Sequence, residues 1–172
     1  MVKKIVLFGS ESTGKTTLAK HLALHYNTVW VPEYARLYLE RKGSPCAWED
    51  IEPIARGQIE LEENLYSKAH RILICDTDIR ETKVYSYAYF NRCSDFILEE
   101  VKKRTYDLYL LLNIDIPWEK DNLRDRPHLR KEMHELFKNE LQQNNIAFVE
   151  ISGDFSERKK QAIEAIDQLL FL

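Results

Sequence analysis

The 172-residue chain predicts an α/β fold: five strands in a parallel sheet, covered by helices on both faces. Three observations predict it. Apolar, β-rich runs alternate with helical patterns from one end to the other, the signature of crossover units. The runs are almost continuously hydrophobic, as strands buried on both faces must be. The first run leads directly into Gly9-Ser10-Glu11-Ser12-Thr13-Gly14-Lys15-Thr16, a glycine-spaced phosphate-binding loop whose place is between a strand and a helix.

Taken in order, Ile5-Val6-Leu7-Phe8 lies in a strand at about 3–8, and Leu18, Leu22 and Leu24 give the helical pattern of about 15–26. A second strand at about 28–32 runs into a helix at 33–42, and a long helix follows at 49–69. Ile72-Leu73-Ile74-Cys75-Asp76 forms the core of a strand at about 71–76, followed by helices at 78–90 and 94–104. The fourth strand covers about 106–113 and the fifth about 147–151. Between them a helix at 128–144 carries the stripe Leu129, Met133, Leu136, Phe137, Leu141, and a last helix at 155–170 carries Ile163, Ile166, Leu169, Leu170. These stripes are core faces. No internal repeat, low-complexity tract or linker interrupts the pattern, so one domain is expected over residues 1–172.

The charge balance is −3, from 25 basic and 28 acidic residues, which argues against nucleic-acid binding, where a basic stripe is normal. Charges are interspersed, so neither a disordered tail nor a polybasic membrane anchor is indicated. Cys46, Cys75 and Cys93 lack the spacing of a disulfide framework or a zinc site. The first apolar run is too short for a signal peptide and none approaches membrane-spanning length, so a cytoplasmic location is expected.

Only five glycines occur, and two of them fall at the motif's spacing, which chance explains poorly. Gly9 and Gly14 let the backbone curl around a polyphosphate, and successive N–H groups and the helix N-terminus supply partial positive charge. Lys15 adds a full charge at the β/γ-phosphates, and Thr16 offers its hydroxyl to the accompanying Mg²⁺.

In open parallel sheets the ligand lies beyond the carboxyl ends of the strands. Here those ends are Gly9, Glu33, Asp76 with Asp78, Asn113 with Asp115, and Ser152-Gly153-Asp154. Asp76, an acid closing an apolar strand, is expected at the Mg²⁺; Asp78 or Thr77 alternatively caps the following helix. Glu33 and Arg36 share the first turn of a helix. Glu33 is placed to accept the proton of an attacking hydroxyl or to hold a ribose, and Arg36 to reach an anion or a ring face. From Trp118 to Arg130 a charged segment lacks apolar periodicity; it reads as a closing flap in which Arg124 and one of Arg126 or Arg130 meet the transferring group. Gln58 shares an apolar helix face and requires a partner, backbone or substrate amide. His21 and His25 find no third ligand, and Tyr85, Tyr87, Tyr89 and Phe90 read as packing, one of them open to a substrate ring.

Together these residues resemble the ribosylnicotinamide kinase domain of the NadR family, a branch of the P-loop kinases, over nearly the whole chain. The resemblance rests on Gly9 to Thr16 with Glu11 and Ser12 inside the loop, Glu33-Tyr34-Ala35-Arg36, the strand ending Asp76-Thr77-Asp78, Tyr106-Asp107-Leu108, Pro117-Trp118 with Asp121 and Arg124, and Asn144-Asn145-Ile146. It implies a three-layer P-loop fold with strand order 2-3-1-4-5, a short lid at about 117–130, and transfer of the ATP γ-phosphoryl group to the 5′-hydroxyl of nicotinamide riboside. Carried over, Lys15, Glu33, Asp76 and Arg124 do the chemistry, and Thr16 and Asp76 hold Mg²⁺. Gly9, Ser10, Glu11, Ser12, Thr13, Gly14, Lys15, Thr16, Thr17, Arg126 and Ser152 meet ATP. Glu33, Tyr34, Arg36, Gln58, Asp78 and Trp118 meet the small-molecule acceptor. Two departures stand out. Longer members carry an upstream adenylyltransferase domain with an H-x-G-H type site that is not in this chain, so the reaction is expected to stop at the mononucleotide. Asn122 also replaces the glycine of the lid's Asp-Gly-x-Arg, a position Asn tolerates better than most. The nearest alternative acceptor is another nucleoside or a nucleoside monophosphate, for which Arg36, Arg56 or Arg80 is the candidate extra cation. A nucleotide switch is more distant, since Asn113-Ile114-Asp115 does not fit a guanine-reading N-K-x-D.

Overall fold

The computed structural model describes residues 2–119 and 127–171. Asp121, Asn122, Arg124 and Arg126 lie outside the described residues. The elements run β1 (Lys3–Phe8), α1 (Lys15–His25), β2 (Trp30–Val31), α2 (Tyr34–Lys42), α3 (Trp48–Tyr66), β3 (Ile72–Asp76), α4 (Ile79–Phe90), α5 (Asp95–Lys103) and β4 (Leu108–Leu112). A 3₁₀ turn (Pro127–Leu129), α6 (Arg130–Gln143), β5 (Phe148–Ile151) and α7 (Phe155–Phe171) complete the order. The strands form one sheet in the order β2-β3-β1-β4-β5, parallel at every pairing, as the resemblance implies.

Side chains alternate across a strand with period two, and the core divides accordingly. Ile5, Leu7, Ile72, Ile74, Leu110, Leu112 and Ile151 face Leu18 and Leu22 of α1 and Ala162 and Ile166 of α7. Val6, Phe8, Leu73, Cys75, Tyr109 and Leu111 face Val84 of α4 and Met133, Phe137 and Leu141 of α6. On that second face Phe8 meets Tyr109 and Phe137 edge-on, with ring centroids 5.4 and 5.0 Å apart, the geometry that ring quadrupoles favour.

Two expected stripe members stand outside this core. Leu24 is 80% exposed and Leu136 40%. Leu24 follows Leu22 by two residues, which on a helix of about 3.6 residues per turn points it to the opposite side; Leu136 falls on the solvent edge of its stripe. β2 is also shorter than expected. Pro32 has no N–H to continue the ladder, and Thr28 is held by a side-chain bond to the Ile72 carbonyl at 2.6 Å.

Register brings the chemistry-bearing ends level. Leu7 pairs with Asp76 and Val31 with Cys75, so Glu33 and Asp76 emerge at the same edge as the loop that follows Phe8. The α2–α3 contact then sets where Glu33 stands. The Tyr34 ring occupies the space beside Gly57 so fully that a Cβ there would meet Cε1 at 2.0 Å.

In an open helix site Gly→Ala stabilises by about 1 kcal/mol. Gly57→Ala is instead expected to destabilise by about 1–3 kcal/mol through overpacking, read as a lower urea midpoint at unchanged slope.

Candidate active site

The loop between β1 and α1 takes backbone conformations that only glycine adopts freely at two places. Gly9 has φ 133° and Gly14, the N-cap of α1, φ 83°. Several loop carbonyls are held by side chains. Arg130 donates to the carbonyls of Ser12 at 2.9 Å and Ile116 at 2.7 Å. Arg158, 3% exposed, donates to the carbonyls of Thr13 at 2.7 Å, Gly153 at 2.8 Å and Asn113 at 3.0 Å and pairs with Asp115. The Glu119 amide adds a bond to Ser12 Oγ at 2.9 Å. Two cations thus tie the loop to the ends of β4 and β5. One of them, Arg130, had been a candidate for the flap.

Inside the loop, Lys15 Nζ donates to the carbonyls of Gly9 at 2.6 Å and Ser10 at 3.0 Å and lies 3.4 Å from Glu81 Oε1. Burial opposes its charge, but Glu81, Glu33 and Asp76 outweigh that opposition and hold its pKa above the ordinary lysine value. Thr16 Oγ1 donates to Asp76 Oδ2 at 2.5 Å. Burial first, and the Glu33 carboxylate second, push Asp76 up to about 6. Burial also raises Glu81 well above the usual carboxylate range, against the pull of Lys15. Asp76 Oδ1 and Glu81 Oε2 are buried with no hydrogen-bond partner among the described residues, and a buried acceptor in that state suits a cation. Among the described residues no cluster of three or more His, Cys, Asp and Glu could hold a metal by itself. The hydroxyl–carboxylate pair of Thr16 and Asp76 therefore fits Mg²⁺, which typically takes one or two protein ligands and completes its shell with water and phosphate.

The cleft in front of the loop measures about 1270 Å³, above the roughly 300–1,000 Å³ of a single small-molecule site, which leaves room for more than one small ligand. Its lining comes from the loop with Ile116, Pro117, Phe155 and Arg158, and from Glu33, Arg36, Leu39, Glu40, Ile54 and Gln58 together with Glu81, Thr82, Tyr85, Tyr89 and Phe90 of α4.

Of the residues expected to act, Glu11 through Thr17, Glu33, Arg36 and Gln58 line this cleft. Asp76 stands behind Thr16. Gln58 accepts from the Tyr34 amide at 2.7 Å and donates to the Pro32 carbonyl at 3.4 Å, so its partner is backbone and it braces the turn that carries Glu33. Tyr34 packs on Gly57. Trp118 lies with its ring centroid 5.9 Å from the Arg130 guanidinium, and Ser152 is joined to Gln161 by a reciprocal pair of bonds; neither is among the cleft-lining residues.

Asp78 requires a correction. It is fully buried, accepts from the Glu81 amide at 3.1 Å and from the Tyr109 hydroxyl at 2.6 Å, and is the cap of α4, not a ligand for an acceptor. Sequence reasoning missed Glu81 and Arg158. Asp78-x-x-Glu81 reads as an ordinary capping box, which hides Glu81, and Arg158 sits on a helix face with no pattern of its own.

A glycine-spaced loop with a buried lysine, acids at the strand ends beside it and the sheet order β2-β3-β1-β4-β5 together define a protein of the P-loop nucleotide-binding class. Within it, the chain belongs to the AAA domain family, whose profile matches residues 4–158. It is 30% identical over 176 aligned residues to the trifunctional NAD biosynthesis/regulator protein NadR of Escherichia coli, covering 98% of this chain and 43% of that protein. The chain thus spans less than half the length of that curated relative. A crystal structure of NadR in complex with NR superposes with TM-score 0.90 at 24% identity, covering 99% of this chain and 52% of the other. One with NAD and AMP-PNP gives TM-score 0.83 at 26% identity, covering 98% and 49%. The same fold appears in thymidylate kinase from Candida albicans, TM-score 0.71 at 16% identity, covering 97% and 92%.

Because burial raises Asp78 to about 6, the folded state keeps its proton at a pH where the unfolded chain has lost it. The associated stability is complete below about pH 4 and lost as pH rises through about 6, at most about 3 kcal/mol. Asp78→Asn should make the fall in melting temperature between pH 4 and 6 measurably shallower.

Proposed function

We propose that the chain transfers the γ-phosphoryl group of ATP to the 5′-hydroxyl of nicotinamide riboside, giving nicotinamide mononucleotide. The observation that carries this reading is the character of the acceptor half of the cleft, which combines Glu33, Glu40 and Glu81 with the rings of Tyr85, Tyr89 and Phe90. Carboxylates and aromatic faces suit a cationic ring, and the pyridinium of nicotinamide riboside is one. A nucleoside monophosphate would ask for the opposite. Arg36 lines the cleft, but Arg80 is turned to Glu140 at 2.8 Å and to the Val101 carbonyl. Arg56 is paired with Glu52 and lies over Phe96 with 3.8 Å to the ring centroid. One similar NadR structure holds NR and another holds NAD and AMP-PNP, which supports a riboside and a nucleotide as the two ligands.

In this reading residues 1–172 act as one P-loop kinase domain. Gly9 to Thr17 hold the triphosphate, with Lys15 at the β/γ-phosphates and Thr16 and Asp76 at Mg²⁺. When bound, the ion screens charge on the phosphates. Glu33 receives the 5′-hydroxyl proton as that oxygen forms its bond to the γ-phosphorus, and the bond to the β-bridging oxygen breaks to release ADP. Arg36 faces the riboside, and the segment 117–130, with Arg124 and Arg126 outside the described residues, closes as a lid that excludes water. Its partners are two small molecules, with no role for nucleic acid or membrane; among the described residues no helix is long and apolar enough to cross a bilayer.

Purified protein with Mg-ATP should form ADP when nicotinamide riboside is added, and comparable turnover with uncharged nucleosides would move the assignment to a general nucleoside kinase. Lys15→Ala should lower kcat at least about 100-fold with the fold retained by circular dichroism. Glu33→Gln should lower kcat by about 10²–10⁴ at saturating ATP; unchanged acceptor kinetics would remove Glu33 from the reaction.

A further inference from the structure

Glu81 takes no step in the phosphoryl transfer itself, yet it is one of the most buried acids of the cleft. It is 3% exposed, its Oε1 lies 3.4 Å from Lys15 Nζ, and its Oε2 has no hydrogen-bond partner among the described residues. Its backbone is pinned by the Asp78 cap at 3.1 Å and its side chain is enclosed, which leaves the longer side chain of Lys15 as the partner with reach toward a nucleotide. Lys15 is also the cation that a triphosphate recruits. Once it turns to the phosphates, Glu81 becomes a buried carboxylate without its counter-ion, a costly state unless another cation replaces it. The groups beside it, Glu33, Thr82 and Tyr85, belong to the acceptor half.

We propose that Glu81 exchanges counter-ions: it holds Lys15 before nucleotide binds and the positively charged ring of the acceptor afterwards, so that nucleotide and acceptor bind with positive coupling. The proposal rests on a cationic riboside being the acceptor. Coupling between two ligands is reciprocal and commonly about 5–150-fold, so each should strengthen the other by about tenfold.

The test is calorimetric titration of nicotinamide riboside into the full chain with and without Mg-AMP-PNP. Wild type should bind the riboside about tenfold more tightly with the analogue present, and Glu81→Gln should reduce that ratio to about one. Glu33→Gln removes a charge from the same cleft that acts on Lys15 less than Glu81 does and without the direct ion pair; it should weaken binding and keep most of the ratio. The 1,4-dihydro riboside, nearly the same in shape and uncharged in the ring, should show little coupling with wild type, an arm that needs no variant to fold. Coupling that survives in Glu81→Gln, or that is equal for the charged and uncharged ribosides, overturns the exchange and leaves the kinase reading standing. Failure of wild type to bind the riboside under either condition overturns both.

Discussion

Lys15 lies where three acids converge, and its burial among them sets the terms for the whole carboxyl edge of the sheet. Glu81, Glu33 and Asp76 all act on its charge, while Asp76 and Glu81 are themselves lifted by burial. Such a cluster is tolerable only if charge of the right sign is always at hand, because an uncompensated buried ion costs several kcal/mol. In the proposed reaction a triphosphate with its metal ion would bring charges of both signs into this cluster. The site is therefore built around a charge arrangement that ligands complete, and the surrounding scaffold holds it in place.

That scaffold works from both ends of the chain. Parallel pairing of β3 with β1 puts Asp76 opposite Leu7, and the Thr16–Asp76 bond closes the distance from the loop side. Arg158 on α7 and Arg130 at the start of α6 take up carbonyls of the loop, so two late helices hold a segment that is among the first to be made. Around Glu33, Gln58 of α3 braces the backbone on both sides, at Pro32 and Tyr34, and Gly57 gives α2 its close seat. The same α4 that Asp78 caps delivers Glu81, Thr82, Tyr85 and Tyr89 to the cleft. One correctly capped helix is enough to build a wall.

Much of this was legible in the letters because it depends on local periodicity and on a loop whose chemistry is contiguous. The strands and helices, the phosphate loop, Glu33 at the end of β2 and Asp76 at the end of β3 can each be read within a short window. Leu24 and Leu136 were misjudged for the converse reason: hydrophobic identity does not say which way a residue faces. Gln58 was legible as an inward amide, but its partner was not, since Tyr34 and Pro32 are more than twenty residues away. Asp78 offered two roles to a linear reading, and its burial, with the Glu81 amide on one oxygen and the Tyr109 hydroxyl of β4 on the other, decides between them.

By itself, then, the sequence determined the α/β class, the nucleotide loop and the acids at the strand ends, because each follows from the spacing of neighbouring residues and the fixed geometry of helices and strands. The sheet order followed only through likeness to a family, which periodicity cannot supply. Tertiary structure alone decided the pairing of Lys15 with Glu81, the grip of Arg158 and Arg130 on the loop, and the meeting of Glu33, Glu40 and Glu81 with the rings of α4 in one cleft. Those are contacts between residues up to 145 positions apart in sequence, and electrostatic energy depends on distance and burial in space, neither of which a linear pattern records.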